Sequence, residues 1–108
     1  MKNRRVNREE MDVSDQRKAY EDKCDAQMKV WSAEIALLSA KADKAAAGAK
    51  VEYYQMIGTL QNKHKAAGVK LQELKAASDD AWADLKSGAE NAWTELKTAF
   101  SSAASKFN

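Results

Sequence analysis

The residues that could perform chemistry are few, and they are not arranged as a reactive site. His64 is the only histidine, and no cysteine or carboxylate stands three or four positions away from it. Cys24 is the only cysteine, which excludes an internal disulfide framework. Asp79, Asp80 and Asp84 stand close together, but they are more simply the acidic first turn of a helix. The sequence has no glycine-rich phosphate loop or metal-ligand cluster. We therefore predict no catalytic residue, no cofactor and no metal, and a protein that is not an enzyme.

The composition is that of a helical chain. The 108 residues include 21 alanines, four glycines and no proline, so little interrupts a helix. Charged residues of both signs make up 31% of the chain and leave a net charge of only +2. A mixture of Ala, Lys, Glu, Asp and Leu at helical spacing is typical of long helices. Strand-forming residues are sparse, and we predict an all-α fold.

Charge and hydropathy also limit the partners. Only the first eight residues, MKNRRVNR, are strongly basic, and acidic residues follow at once, so a nucleic-acid partner is not expected. The chain begins without the apolar run of a signal peptide, and no stretch is long enough to span a membrane. We expect cytoplasmic localisation, with peripheral association with a membrane surface as the alternative.

Apolar residues recur every three or four positions from Tyr20 onward, which is the spacing of one helix face. From Ser78 the pattern repeats every eleven residues, so that Trp82 and Trp93 lie almost above one another. Residues 1–15 contain little that is apolar and are expected to fray. The large members of the stripe form a predicted interaction seam: Trp31, Ile35, Leu38, Ile57, Leu60, Leu71, Leu74, Trp82, Leu85, Trp93, Leu96, Phe100 and Phe107.

Gly48, in the alanine run AAAGAK, marks the best turn near the middle of the chain. A turn there predicts one domain over residues 1–108, built as a long antiparallel helical hairpin or coiled coil. Its helices would cover about residues 16–46 and about residues 50–107, with an eleven-residue repeat (a hendecad) in the C-terminal segment. Apolar residues then face each other at nearly every layer: Leu38 with Ile57, Ile35 with Leu60, Trp31 with His64, Met28 with Ala67, and Cys24 with Leu71.

Ser78 offers a second break, because it is a candidate N-cap for a helix that begins with two aspartates. The alternatives to the hairpin are therefore a three-helix bundle with a second break near residues 78–80 and a single rod-shaped helix. In the hairpin, the second helix extends beyond the first. The seam residues from Trp93 onward would then have no partner within the chain.

The tail DDAWADLKSGAENAWTELKTAFSSAASKF contains the word AW-x-x-L-K twice. Together with the arms MKVWSAEIALLSAKADKA and VEYYQMIGTLQNKHKAAGVKLQELKAAS, it resembles a family of small bacterial coiled-coil domain-containing proteins, over about residues 20–107. The resemblance implies a soluble helical protein without assigned catalytic residues. The eleven-residue period is also similar to that of apolipoproteins, desiccation-protective proteins and granule-coating phasins, but in period alone.

These features predict a non-enzymatic coiled-coil module, either structural or protein-binding, because a lone hairpin buries little and leaves its seam exposed. The predicted partner is a second copy, which makes a homo-oligomer through the seam; another helical protein is the alternative partner. Two other functions remain open. One is a peripheral coat that binds membrane or hydrophobic surfaces through the amphipathic helix 78–107, and the other is a protective stress protein.

Overall fold

The computed structural model describes residues 13–107, which form three α-helices. They are α1 (Val13–Asp43), α2 (Ala47–Ala76) and α3 (Asp79–Phe107). α2 runs antiparallel to both neighbours, so α1 and α3 are parallel. The all-α prediction is confirmed, and the architecture is the three-helix alternative to the hairpin. Residues 13–15 are helical rather than frayed; the rest of that predicted frayed end lies outside the described residues.

The first turn occupies residues 44–46, two residues before the predicted position. Ala46 adopts an extended conformation (φ −64°, ψ 152°) that any residue can adopt, so the turn needs no glycine. Gly48 therefore lies inside α2, with no positive φ. The Tyr54 hydroxyl donates a hydrogen bond to the Asp43 carboxylate, which ties the end of α1 to the second turn of α2.

The second break separates α2 from α3, so a single helix over residues 50–107 does not form. Ala77 is extended (φ −74°, ψ 149°), and Ser78 follows it as the N-cap of α3. The Ser78 hydroxyl accepts a hydrogen bond from the Ala81 amide at 3.3 Å, as its position before two aspartates predicts. The side-chain cap stabilises a new helix start, which a continuous helix could not use.

Arg17 of α1 forms hydrogen bonds with the chain at the break between α2 and α3. Its guanidinium donates hydrogen bonds to the carbonyl oxygens of Leu74 (3.1 Å), Lys75 (3.3 Å) and Ala77 (2.8 Å) at the end of α2. It also donates to the Asp79 carboxylate at 3.0 Å. The last carbonyls of a helix have no partner within that helix, so one side chain satisfies several of them. Arg17 thereby joins α1 to both helices that meet at the break.

Two apolar clusters fill the centre of the bundle. The larger contains Trp31, Ile35, Ala42, Ile57, Leu60, Ala67, Leu96, Phe100 and Ala103. The smaller contains Cys24, Leu71, Leu74, Trp82 and Ala89. Of the predicted α1–α2 layers, Ile35 and Leu60 belong to the larger cluster, Cys24 and Leu71 belong to the smaller one, and Leu38 packs against the larger cluster, which contains Ile57. The new feature is α3, which completes both clusters.

The buried face of α3 follows a seven-residue spacing rather than the predicted eleven-residue one. Trp82, Ala89, Leu96 and Ala103 are all buried and stand seven residues apart. Leu85, which the eleven-residue register places in the seam, is 37% exposed. A seven-residue spacing keeps one face of a helix against a neighbour over many turns. The neighbour is α2, which the hairpin does not provide for this segment.

Candidate functional site

The residues singled out for chemistry have structural roles. His64 on α2 places Nε2 2.9 Å from the Met28 carbonyl oxygen, across the α1–α2 contact. Cys24 is only 4% exposed and belongs to the smaller cluster. Asp79 and Asp80 lie in the first turn of α3. Within residues 13–107, no group of three or more histidines, cysteines or carboxylates could hold a metal ion.

The predicted interaction seam is the core of the chain itself. Nine of its thirteen residues are buried: Trp31, Ile35, Ile57, Leu60, Leu71, Leu74, Trp82, Leu96 and Phe100. Leu38, Trp93 and Phe107 are partly buried against the larger cluster. Phe107, for example, stacks on Tyr53 of α2 with the ring centroids 4.2 Å apart. Because α3 folds back, most of the seam is covered within the chain.

The eleven-residue spacing of Trp82 and Trp93 is matched in the contact between α1 and α3. Tyr20 and Trp31 are also eleven residues apart, and they contact Trp82 and Trp93 in the same order. The centroid distances are 5.6 Å for Tyr20–Trp82 and 5.2 Å for Trp31–Trp93. Two parallel helices with the same spacing stay in register, so the repeat in α3 has a counterpart in α1.

A groove runs between α1 and α3 on the surface of the bundle. Its floor is aromatic, because the Trp31 ring contacts both the Trp93 ring and the Phe100 ring; the latter lies 5.7 Å away and nearly parallel, at 8°. These large rings stand between the two backbones and hold them apart. The groove contains a first recess of about 410 Å³ and a second of about 310 Å³, and Lys97 lines both.

Charged groups from both helices line each recess, and Lys97 lies at both. Lys23 of α1 and Glu90 of α3 line the first recess, while Glu34 of α1 and Lys97 of α3 line the second. At the two recesses, no ion pair between described residues joins α1 to α3; the Arg17–Asp79 pair lies beyond them, at the second break. Glu90 pairs with Lys86 on its own helix at 3.9 Å. The other three charged groups have no ion-pair partner in the part of the chain that the structure describes.

The α1 side of the groove is also unusually apolar. Leu37 is 58% exposed and lines the second recess, and Val30, one heptad earlier on the same face, is 51% exposed. α1 therefore carries large apolar residues beside the groove as well as on its core face. Apolar groups exposed next to an open recess are typical of an interaction surface.

Sequence reasoning missed Arg17 and Leu37, although each leaves a signal. Arg17 stands seven residues before Cys24 and fourteen before Trp31, so it occupies a core position of α1. Leu37 adjoins Leu38, and two neighbouring residues on a helix point about 100° apart. The sequence pattern places Leu38 on the core-facing stripe, but only the structure shows that Leu37 lies at the groove.

Tyr20 and Cys24 stand one helical turn apart on α1, and both line the first recess. Burial raises the pKa of Tyr20 to about 12 and raises the pKa of Cys24 above its ordinary value of 9.0. Folding thus favours the neutral form of both groups. Below the unfolded-state pKa values both groups are neutral in either state, and their contribution is fully retained. Above those values the unfolded chain ionises first, so stability is lost as the pH rises towards 12.

We therefore expect the free energy of unfolding to fall between about pH 9 and about pH 12. Urea unfolding at a series of alkaline pH values measures the slope. In Tyr20→Phe, the part of the slope above pH 10 that belongs to the tyrosine should disappear. An unchanged slope in that variant would show that Tyr20 is not the group responsible.

Comparisons with known proteins do not assign the chain to a family. No family model matches it, and no curated protein or solved structure is significantly similar to it. The resemblance to small bacterial coiled-coil proteins therefore stays a prediction. Over residues 13–107, no helix is long and apolar enough to cross a membrane.

Proposed function

We propose that this protein is a non-enzymatic helical module that binds protein helices through the groove between α1 and α3. The observation that carries the proposal is the open groove itself, with its aromatic floor and the exposed Leu37 beside it. An amphipathic helix laid into such a groove buries apolar surface on both partners. A bound helix would turn the three-helix arrangement into a four-helix one.

The dimensions of the groove suit a helix. The residues of α1 that line the two recesses extend from Tyr20 to Leu38. At 1.5 Å per residue this is about 27 Å, or roughly five helical turns. Helix pairs pack at about 8–10 Å between axes, and small residues allow the closer approach. Ser101 and Ala104 on the α3 side of the second recess leave that room.

The self-association predicted from the sequence is kept in this proposal, but its surface changes. Most of the seam is buried, whereas the groove, which is lined by the seam residues Trp31, Leu38, Trp93 and Phe100, is open in the folded chain. A coat on membranes through residues 78–107 would require α3 to leave the bundle, because its apolar face is buried against α1 and α2. The groove needs no such opening, and we therefore favour helix binding.

The test is photo-crosslinking in cells that produce the protein. A benzoylphenylalanine at position 37 should form adducts with a helical segment of a bound protein, which mass spectrometry identifies. The matched control is position 51, because Val51 is equally exposed (62%, against 58% for Leu37) but lies on α2, outside the groove. Equal adducts at both positions, or none at position 37, would refute the proposal.

A further inference from the structure

We infer that the turn between α1 and α2 is a hinge, through which two copies of this chain exchange α1 and form a domain-swapped dimer. In the exchanged state the turn straightens, and α1 and α2 become one continuous helix over residues 13–76. α1 of each copy then packs on α2 and α3 of the other copy. The inference concerns the turn and the seam, and it does not depend on what occupies the groove.

The turn lacks the residues that usually form turns. It consists of Lys44, Ala45 and Ala46, and both lysine and alanine are strong helix formers. It contains no Gly, Pro, Asn, Asp or Ser, and no residue in it has a positive φ. The local sequence therefore favours a helix through residues 44–46, and it is the packing of α1 on α2 and α3 that maintains the turn.

The start of α2 also lacks the features that stabilise a helix start. Ala46 is its N-cap and makes no side-chain hydrogen bond to the first amides. The first turn of α2 contains no acidic residue, and Lys44 stands just before it, where the helix dipole disfavours a positive charge. α3 differs, because Ser78 caps it and two aspartates follow. A continuous helix removes the unfavourable start of α2, so the first turn is the hinge and the second break is not.

The apolar stripe continues through the turn in helical phase. Ala42, Ala45, Ala49 and Tyr53 follow one another at steps of three and four residues, and Ile57 continues the series. A turn does not require this phase, whereas a continuous helix needs it to bury one face over its whole length. In the dimer, two such helices cross in antiparallel order at the turn. The alanines lie at the crossing, where small side chains allow the helices to approach closely.

Exchange preserves the contacts of the bundle. The contact of His64 Nε2 with the Met28 carbonyl oxygen and the ring contact of Trp31 with Trp93 form between two copies instead of within one. Only the contacts at the turn itself change. Exchange of an identical element is a low-cost route to a dimer for this reason. The balance between monomer and dimer is therefore decided by the turn and by the protein concentration.

The exchanged dimer carries two grooves, each formed by α1 of one copy and α3 of the other. Its central helices are about 95 Å long and hold the two grooves on opposite halves of one rod. This consequence rests on the proposed function. Two grooves on one rod bind a partner that has two suitably spaced helical segments more tightly than a single groove does.

A proline at position 47 tests the hinge. Ala47 is the first residue of α2, where proline is favoured, and the extended Ala46 has the conformation that proline prefers in the residue before it. The turn thus accepts Ala47→Pro, but a continuous helix does not.

The measurement is sedimentation equilibrium of the purified full-length chain after refolding from urea at high concentration. The wild type should form a dimer. Ala47→Pro should weaken dimerisation by about a thousandfold or more, because both central helices of the dimer would contain the proline, and it should leave the monomer as stable as the wild type. Ala47→Gln, the control, keeps a good helix former and should dimerise as the wild type does. A wild type that stays monomeric, or a dimer that Ala47→Pro leaves unchanged, would overturn the inference.

Label dilution shows whether α1 is exchanged. In a Cys24→Ala background, donor and acceptor dyes on D25C and K75C lie across the α1–α2 contact, where Lys75 Nζ is 2.9 Å from Asp25 Oδ1. Within one continuous helix these positions are about 75 Å apart. After the labelled chain is refolded with an excess of unlabelled chain, energy transfer should disappear from the dimer and persist in the monomer. Transfer that persists in the dimer would indicate association without exchange and refute the inference. The Ala47→Pro monomer retains the groove, so crosslinking from position 37 in that variant tests the proposed function separately.

Discussion

Trp31→Ala should lower the free energy of unfolding by about 3–5 kcal/mol, the usual cost of removing a buried aromatic side chain. Trp31 is 6% exposed and contacts two rings of α3, those of Trp93 and Phe100. It therefore supplies the aromatic contacts between α1 and α3 in the larger cluster. A domain of this size is stable by only about 5–15 kcal/mol, so the variant loses a large part of its stability. Urea unfolding followed by helical circular dichroism measures the change.

The neighbouring position provides the control for Trp31. Ser32 is exposed, and Ser32→Ala should change the free energy of unfolding by no more than about 0.5 kcal/mol. Tryptophan fluorescence gives a second measurement, because the loss of Trp31 should expose Trp93 and shift its emission to longer wavelength. A loss below about 1 kcal/mol for Trp31→Ala would mean that α3 does not pack on α1 as described.

Arg17→Ala should lower the free energy of unfolding by about 2–3 kcal/mol, which is large for a charged residue near a chain end. The guanidinium satisfies three carbonyl oxygens at the end of α2 and binds the Asp79 carboxylate. It also lies over the Trp82 ring, with Cζ 5.7 Å from the ring centroid. Its side chain is only 14% exposed, so water cannot fully replace these contacts. Thermal and urea unfolding measure the loss.

Arg17→Lys should recover little of this loss. A lysine carries one ammonium group and cannot donate to several carbonyl oxygens in the planar arrangement that a guanidinium allows. Lys18→Ala is the control, because the Lys18 side chain is 79% exposed and, among the described residues, forms an ion pair only with Asp22 on its own helix. If Arg17→Lys were as stable as the wild type, the charge alone, and not the hydrogen-bond geometry, would account for the role of Arg17.

Local features of the structure could be read from the sequence. The all-α fold follows from an alanine-rich chain without proline, and the start of α3 follows from Ser78 before two aspartates. The α1–α2 layers, such as Ile35 with Leu60, follow from helical spacing and one short turn. Each of these depends on residues close in sequence, or on two helices joined by three residues. Backbone geometry and helix capping therefore decide them without knowledge of the rest of the chain.

Only the tertiary structure decided what covers the apolar stripe. The eleven-residue and seven-residue spacings differ by only a few tens of degrees around a helix, so both describe the sequence of α3. The position of α2 selects the seven-residue face, and the position of α1 gives Trp82 and Trp93 their partners, Tyr20 and Trp31. Periodicity shows that a face will be buried but not by which helix. With α3 packed on the seam, the surface left open is the groove beside Leu37, a residue that lies outside the predicted seam.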